Sequence, residues 1–458
     1  EPVLNPPRPK AVLDELPSPH RFPEDVPQLP TRIVYFETSR GCPFSCQFCL
    51  SSIETGVRYF SLDRTKEDLL HLIRSGARTI KFVDRTFNLR RDYAMEIFRF
   101  LIEHHADGGG CVFQFEITAD IMRPEVLQFL CENAPPGVFR FEIGVQSTNE
   151  RTNEIIRRRQ NFAKLARTVT MIRESGRIAQ HLDLIAGLPE EDYASFRRTF
   201  NDVFALRPEE LQLGFLKMLR GTGLRERAAE HGYVYMDRAP YEVLANDVLP
   251  FSDLVRIKQA EDVLEKYWNA HRLDATVNYL VDEVFATPWD FFQSFGAYWD
   301  ERGWPRIGHQ LEDLFLRLRE FLAAMAADGV DAHFSDSAVL LKKPIELDVV
   351  EGLMKLDYFR QHRYRPRKVW WEPALSERER GEWMRRLAEH PELAGDGFAA
   401  LGLGERELHK QVMLERVPFD LAAYLADGAV RRSEPGREPL LVACFTGEGE
   451  PGIFAAGR

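Results

Sequence analysis

Three of the six cysteines, Cys42, Cys46 and Cys49, stand within eight residues in the stretch GCPFSCQFCLSS, residues 41–52. Thiolates gathered this densely bind soft metals. A closed structural zinc site takes four ligands, and so does a fully ligated iron-sulfur cube. Three cysteines leave one iron of a 4Fe-4S cube without a protein ligand, and an open metal position is where a substrate or cofactor coordinates. The spacing alone also fits a chance run, or a partial zinc site completed by one of the twelve histidines. The place of the segment in the fold separates these readings.

From residue 31 to about 225 the hydrophobic period switches repeatedly between 2 and 3.6, the mark of strands alternating with helices. Strands are expected at 32–37, 79–84, 112–118, 138–145, 180–187 and 211–218. Between them, Thr65 is expected to cap a helix that Gly76 stops, Pro124 to open another, and Asn161 to cap one that Gly176 ends. Six βα units imply a parallel sheet with right-handed crossovers. Parity decides its form. Phe113, Phe115 and Ile117 alternate with Gln114, Glu116 and Thr118; Phe139, Phe141 and Ile143 alternate with Arg140, Glu142 and Gly144; Leu182 and Leu184 alternate with His181 and Asp183. Strands of a doubly wound sheet are apolar on both faces. One apolar and one polar face fit an α/β partial (β/α)6 barrel with a wet, charged interior rich in acids and poor in bases. The cysteines follow the first strand, at the end of a parallel barrel where chemistry sits. Glu116, Glu142, His181 and Asp183 are the acid-base candidates of that interior.

Residues 226–365 lose the strand signal and read as a helical domain, with helices over Leu244–Trp268, Gly308–Ala327 and Leu347–Gln361. The aromatic stretch FATPWDFFQSFGAYW (285–299) reads as core, with a cofactor or substrate wall as the less favoured use. Tyr358, in LDYF, is a candidate hydrogen-atom relay. Residues 366–458 read as a small α+β region with strand-like KVWWE, QVMLERVPF and PLLVACF, so a mostly helical α+β C-terminal part follows the barrel. Nine of the first thirty residues are proline, which predicts a semi-extended linker over 1–30 with a further domain upstream of Glu1. No apolar run is long enough to span a bilayer, so no membrane role is expected. The net charge of −11 argues against a nucleic-acid partner, whose phosphates ask for a basic surface. Cys111, Cys131 and Cys444 are scattered and read as buried thiols in a reducing, cytoplasmic compartment.

C-P-F-S-C-Q-F-C after the first strand, with Phe48 before the last cysteine, resembles the cluster loop of radical S-adenosylmethionine (SAM) enzymes, and the six βα units resemble their partial barrel. The resemblance covers residues 31–225. It implies that Cys42, Cys46 and Cys49 hold a 4Fe-4S cluster whose open iron chelates SAM. One electron, delivered by a donor such as flavodoxin or ferredoxin, would cleave SAM to methionine and a 5′-deoxyadenosyl radical that acts on an unknown substrate. By the same resemblance VDRTFN offers Asp84 and Asn88 to the SAM amino group, although it departs from the family's Gly-Gly-Glu. FEIGVQS offers Glu142, Gln146 and Ser147 to the ribose and carboxylate. DLIAGLPE is similar to G-x-I-x-G-x-x-E beside adenine, through Ile185, Gly187 and Glu190, with Asp183 in place of the first glycine. LKMLRGTGL offers backbone at Leu216 to Leu219, and Phe48 a wall for adenine.

The wording ETSRGCPFSCQFCLSS, then GVRYFSL and KFVDRTFN, is similar to a subgroup in which a cobalamin-binding domain precedes the radical domain and a domain of unknown function follows. Methyl transfer with cobalamin held by an upstream domain is what this implies. Two other functions stay open. An RNA-modifying radical SAM enzyme without cobalamin would use the basic run Arg157, Arg158, Arg159, Lys164, Arg167 and Arg173, which otherwise reads as a solvated face. A non-catalytic iron-sulfur or zinc interaction module would need no SAM-like segments on later strands.

Overall fold

The computed structural model describes residues 9–53, 56–328, 340–434 and 436–457. Of the linker expected over 1–30, residues 1–8 lie outside the described residues. The chain divides into two compact units, Glu1–Val255 and Arg256–Arg458.

In the first unit β1 (Ile33–Phe36), β2 (Thr79–Phe82), β3 (Val112–Ile117), β4 (Phe139–Gln146), β5 (Ile178–Ala186) and β6 (Glu210–Phe215) form one parallel sheet. Their order in the sheet is their order in the chain. The helices α1 (Leu62–Arg74), α2 (Arg91–His104), α3 (Pro124–Asn133), α4 (Phe162–Ser175) and α5 (Tyr193–Phe204) fill the crossovers. Right-handed crossovers in unbroken order place every helix on one face, and the strand order never reverses as it does in a doubly wound sheet. Such a sheet curls into a barrel, and because β1 and β6 are its edges the barrel is partial.

Burial alternates residue by residue along β3, β4 and β5. The helix side holds Phe113, Phe115, Phe139, Phe141, Leu182 and Leu184, all buried. Phe115 is the hub: its ring lies 4.3 Å from that of Phe82, 4.5 Å from Phe87 and 5.2 Å from Phe98. The other face carries the charges, and here the expected shortage of bases is corrected. Lys81 pairs with Glu142 at 2.6 Å, Arg85 with Glu116 at 3.7 Å, and Arg140 with Glu210. Lys81 and Arg140 sit on different strands from their acids and Arg85 lies just beyond β2, so these pairs form only across the sheet.

Local signals set most helix ends. Pro124 opens α3, Asn161 caps α4 by accepting from the Lys164 N–H at 2.9 Å, and Gly176 closes it at φ 63°. One cap is corrected: α1 begins at Leu62, so Thr65 lies inside the helix, where its hydroxyl meets that of Tyr93 at 2.9 Å. A two-stranded hairpin, Val234–Tyr235 with Val243–Ala245, interrupts the region expected to be free of strands. The helix expected from Leu244 accordingly starts at Phe251.

The second unit is helical, then mixed. Its helices include Pro288–Glu301, Leu311–Asp328 and Leu347–Arg360. The aromatic stretch is core: Trp289, Phe291, Phe292, Phe295, Tyr298 and Trp299 are buried. Val412–Arg416, Leu440–Cys444 and Gly452–Ala456 form an antiparallel sheet. KVWWE is not a strand. The Trp371 indole N–H donates to Glu415 Oε2 at 2.6 Å, so this segment is held by side chains rather than by a ladder.

Removing the Phe115 ring leaves a cavity among its aromatic neighbours. Phe115→Ala is expected to destabilise the first unit by about 3–5 kcal/mol, read as a lowered urea midpoint.

Candidate active site

The chain leaves β1 and enters the cysteine loop through a ribbon in which Ser39–Arg40 pairs with Arg58–Tyr59. Asp84, just beyond β2, pins the start of this ribbon. Its carboxylate accepts from the Thr38 N–H at 2.9 Å, the Thr38 hydroxyl at 2.6 Å and the Ser39 hydroxyl at 2.5 Å. Burial pushes the Asp84 pKa up, and the bonds from Ser39 and Thr38 pull against it. Inside the loop Gln47 is clamped from two sides: its N–H donates to Ile156 O at 2.9 Å and its carbonyl accepts from the Leu224 N–H at 2.8 Å. A Cβ on Gly223 would stand 2.2 Å from Gln47 Oε1, so a side chain there would push the Gln47 amide aside.

Held this way, Cys42, Cys46 and Cys49 open into one cavity of about 280 Å³ at the C-terminal ends of the strands. Phe44 and Phe48 wall it from the loop itself, Arg85 and Thr86 from beyond β2, and Glu116 and Thr118 from the end of β3. From β4 come Glu142, Gly144 and Gln146, from β5 Asp183, and from beyond β4 Arg158. A larger cavity, about 460 Å³, lies between the proline-rich segment and α1 and contains no thiol.

The end of β4 is specially shaped. Its pairing with β5 slips between Gly144 and Gln146, and Gln146 takes a left-handed φ of 71°. Such a bulge re-aims a side chain. A Cβ on Gly144 would lie 2.4 Å from Gln146 Nε2, and the Gly144 carbonyl accepts from Arg158. Gln146 Oε1 is buried and has no hydrogen-bond partner. Gln146 lines the cavity, and the unpaired oxygen of its amide is an acceptor that a small rotation would offer to a donor on a ligand.

Burial pushes the Cys42 and Cys46 thiols up; a backbone N–H at Phe44, with Thr86 and Arg85, pulls Cys42 back, and Arg158 pulls Cys46 back. Among the described residues no three His, Cys, Asp or Glu side chains stand close enough to share a single metal ion. Thiolates on one zinc would lie roughly 3.8 Å apart from the Zn–S length and a tetrahedral angle. Ligands to separate irons of a cube stand farther apart than that, and the three thiols line one cavity.

Asp183 is tied into a charge network below the cavity. His181 Nε2 lies 3.0 Å from Asp183 Oδ1 and Nδ1 lies 3.1 Å from Glu210 Oε2. Burial works against the charge on His181, but the bonds to Asp183 and Glu210 raise its pKa to about 10. The bond from His181, opposed by burial and aided by Arg140, lowers Glu210 to about 2. His181 is therefore a fixed cation at neutral pH, unfit to be a general base. Burial raises Glu116, with Arg85 acting against it.

Of the residues expected at the site, the cavity gathers Cys42, Cys46, Cys49, Phe48, Glu116, Glu142, Gln146 and Asp183. Others stand behind it. Asn88 exchanges bonds with the Thr118 backbone at 2.8 and 3.0 Å. The Ser147 hydroxyl donates to the buried Glu191 at 2.6 Å. The Gly187 carbonyl accepts from Tyr233 at 2.9 Å and Asn246 at 3.2 Å, while Leu216 pairs with Ala186 O at 2.9 Å. Ile185 is half-buried on β5, Glu190 is exposed, and Leu219 receives the Thr222 hydroxyl on its carbonyl at 2.8 Å. Tyr358 lies in the second unit, 1% exposed, donating to Glu312 at 3.0 Å, and burial raises its pKa. Sequence reasoning missed Arg85, Thr86 and Arg158 as wall residues. Arg158 stood in a basic run whose only signal was charge.

With this geometry in place, the comparisons with known proteins are informative. Residues 36–203 match the model of the radical SAM superfamily. The chain carries a radical SAM domain, and residues 229–435 match a second family, a protein of unknown function, DUF4080. An uncharacterized methyltransferase of Pyrococcus horikoshii is 45% identical over 64 residues, covering 13% of this chain and 14% of the relative. The oxygen-independent coproporphyrinogen III oxidase of Paracoccus denitrificans is 31% identical over 104 residues, covering 23% of this chain and 22% of the relative. Less than a quarter of each of these relatives is thus spanned. Among solved structures, the radical SAM methyltransferase TsrM from Kitasatospora setae, with cobalamin and a [4Fe-4S] cluster bound, is similar at TM-score 0.39 and 17% identity over 46% of this chain and 40% of that one. No helix among the described residues is long and apolar enough to cross a membrane.

The His181 network makes a pH prediction. A raised histidine stabilises fully below its unfolded value, near 6.5, and loses that contribution as pH rises toward 10; a depressed glutamate stabilises above about 4.5 and loses its contribution as pH falls toward 2. The stability gap between wild type and His181→Gln, measured by urea unfolding, is expected to be widest between those two unfolded values and to shrink as pH is raised.

Proposed function

We propose that this chain is a radical SAM enzyme that cleaves SAM reductively, with Cys42, Cys46 and Cys49 holding a 4Fe-4S cluster. The observation that carries this reading is the convergence of three thiols, the Gln146 amide, three carboxylates and two arginines on one cavity at the C-terminal ends of a parallel partial barrel. The donor set suits both groups. Three thiolates leave one iron of a cube to another ligand. Glu116, Glu142 and Asp183 present negative charge to the sulfonium and ammonium of SAM. Arg158 presents a guanidinium to its carboxylate, Gln146 Oε1 an acceptor to a hydroxyl, and Phe48 an apolar face. Bound there, the cluster supplies the electron that breaks the S–C5′ bond, giving methionine and a 5′-deoxyadenosyl radical.

Within this reading we place methyl transfer with cobalamin, held elsewhere in the full-length protein. The support is the sequence wording around the cysteines and the stretch shared with a protein named as a methyltransferase. Reduction by a soluble donor protein in the cytoplasm belongs to the same proposal.

Anaerobic reconstitution is expected to load about four irons and four sulfides per chain. With dithionite and SAM, wild type is expected to yield 5′-deoxyadenosine and Cys46→Ala none; a wild type that takes up only zinc would overturn the reading. For the finer part, full-length protein purified from cells supplied with cobalamin is expected to show a corrinoid absorption spectrum, and its absence would leave cleavage standing while removing cobalamin.

A further inference from the structure

We infer that the exposed rim of the cysteine loop is the docking surface for an acidic one-electron donor protein. The inference rests on the cleavage reading above, which needs one electron from outside the chain. Two segments flank the loop at Gln47: Ile156 accepts from its N–H, and Leu224 donates to its carbonyl. Gly221, in the second segment, lies against Ile53, whose Cδ1 would be 3.3 Å from a Cβ there.

Both segments are basic. Residues 156–159 and 217–227 carry seven cations against the single acid Glu226, in a chain of net charge −11. Arg158 turns into the cavity, and Arg227 reaches Gln47 and Ile155. Arg157, Arg159, Lys217 and Arg220 remain exposed. Just past Cys49, Leu50 is 47% and Ile53 58% exposed, and Ile53 lies against Gly221, next to Arg220. An apolar centre with a rim of one sign is how a protein interface combines contact with steering. The opposite sign on the partner follows from charge complementarity. Placement next to the thiols selects a redox partner, a flavin or iron-sulfur protein, because the electron must reach the site those thiols build. The step is a single electron: the donor is oxidised by one, the site is reduced by one, and no atom or proton crosses.

The test uses the full chain with its cluster reconstituted and reduced flavodoxin as the probe, with dithionite as the small-molecule control. In R157E/R220E, and independently in R159E, 5′-deoxyadenosine formation at limiting flavodoxin is expected to fall about tenfold and to lose its dependence on salt. The dithionite-driven rate is expected to stay at the wild-type value. Equal flavodoxin-driven rates in wild type and both variants would overturn the inference, as would parallel losses with both reductants in both variants. Salt-sensitive tRNA binding abolished by these substitutions, with the flavodoxin rate intact, would assign the rim to RNA and overturn it too. Failure of wild type with dithionite is a different result, because it removes the cleavage reading first and this inference with it.

Discussion

The carboxylate of Asp84 joins the end of one barrel strand to the start of the loop that carries the cysteines, and the rest of the site depends on that tie. Ordering a residue of backbone costs about 1–2 kcal/mol, so a loop bearing three thiols will not hold them around one cavity unaided. Asp84 fixes the entrance through Thr38 and Ser39, the ribbon with Arg58–Tyr59 closes the base, and Gln47 is gripped from Ile156 and Leu224. None of these residues faces the cavity, yet together they set where its sulfurs can be.

The inside of the barrel follows the same logic with charge. A buried ion is costly unless it is paired, and the polar face of the sheet carries pairs: Lys81 with Glu142, the more exposed Arg85 with Glu116, and His181 between Asp183 and Glu210. This network keeps Asp183 beside a permanent cation. It also separates the acid-base candidates. The bonds to Asp183 and Glu210 hold the charge on His181, whereas burial pushes Glu116 toward its neutral form.

The strands were legible because alternation with period 2 survives wherever one face packs under helices and the other turns to polar surroundings, as Phe113 to Ile117 show. The cysteines were legible as a group because three thiols within eight residues share one short loop, and they open into one cavity. Arg158 was not: its role comes from a turn after β4 that brings it back onto Gly144, a contact no local pattern encodes. Asp84 and Asn88 stand in a loop that walls the cavity, but Asp84 is taken up by Thr38 and Ser39 and Asn88 by the Thr118 backbone, while Arg85 and Thr86 face it. KVWWE has the composition of a strand, and tertiary contacts to Glu415 override it. Thr65 has the chemistry of a cap, and Ser61 holds that place instead.

The central claim is that the three thiols leave one iron open and that SAM takes it. Electron paramagnetic resonance of the reduced, reconstituted protein during SAM titration tests this most directly, since the spectrum reports ligation at the cluster itself. The account predicts that the g values shift on adding SAM, to saturation at one SAM per cluster. A spectrum identical with and without saturating SAM would contradict it.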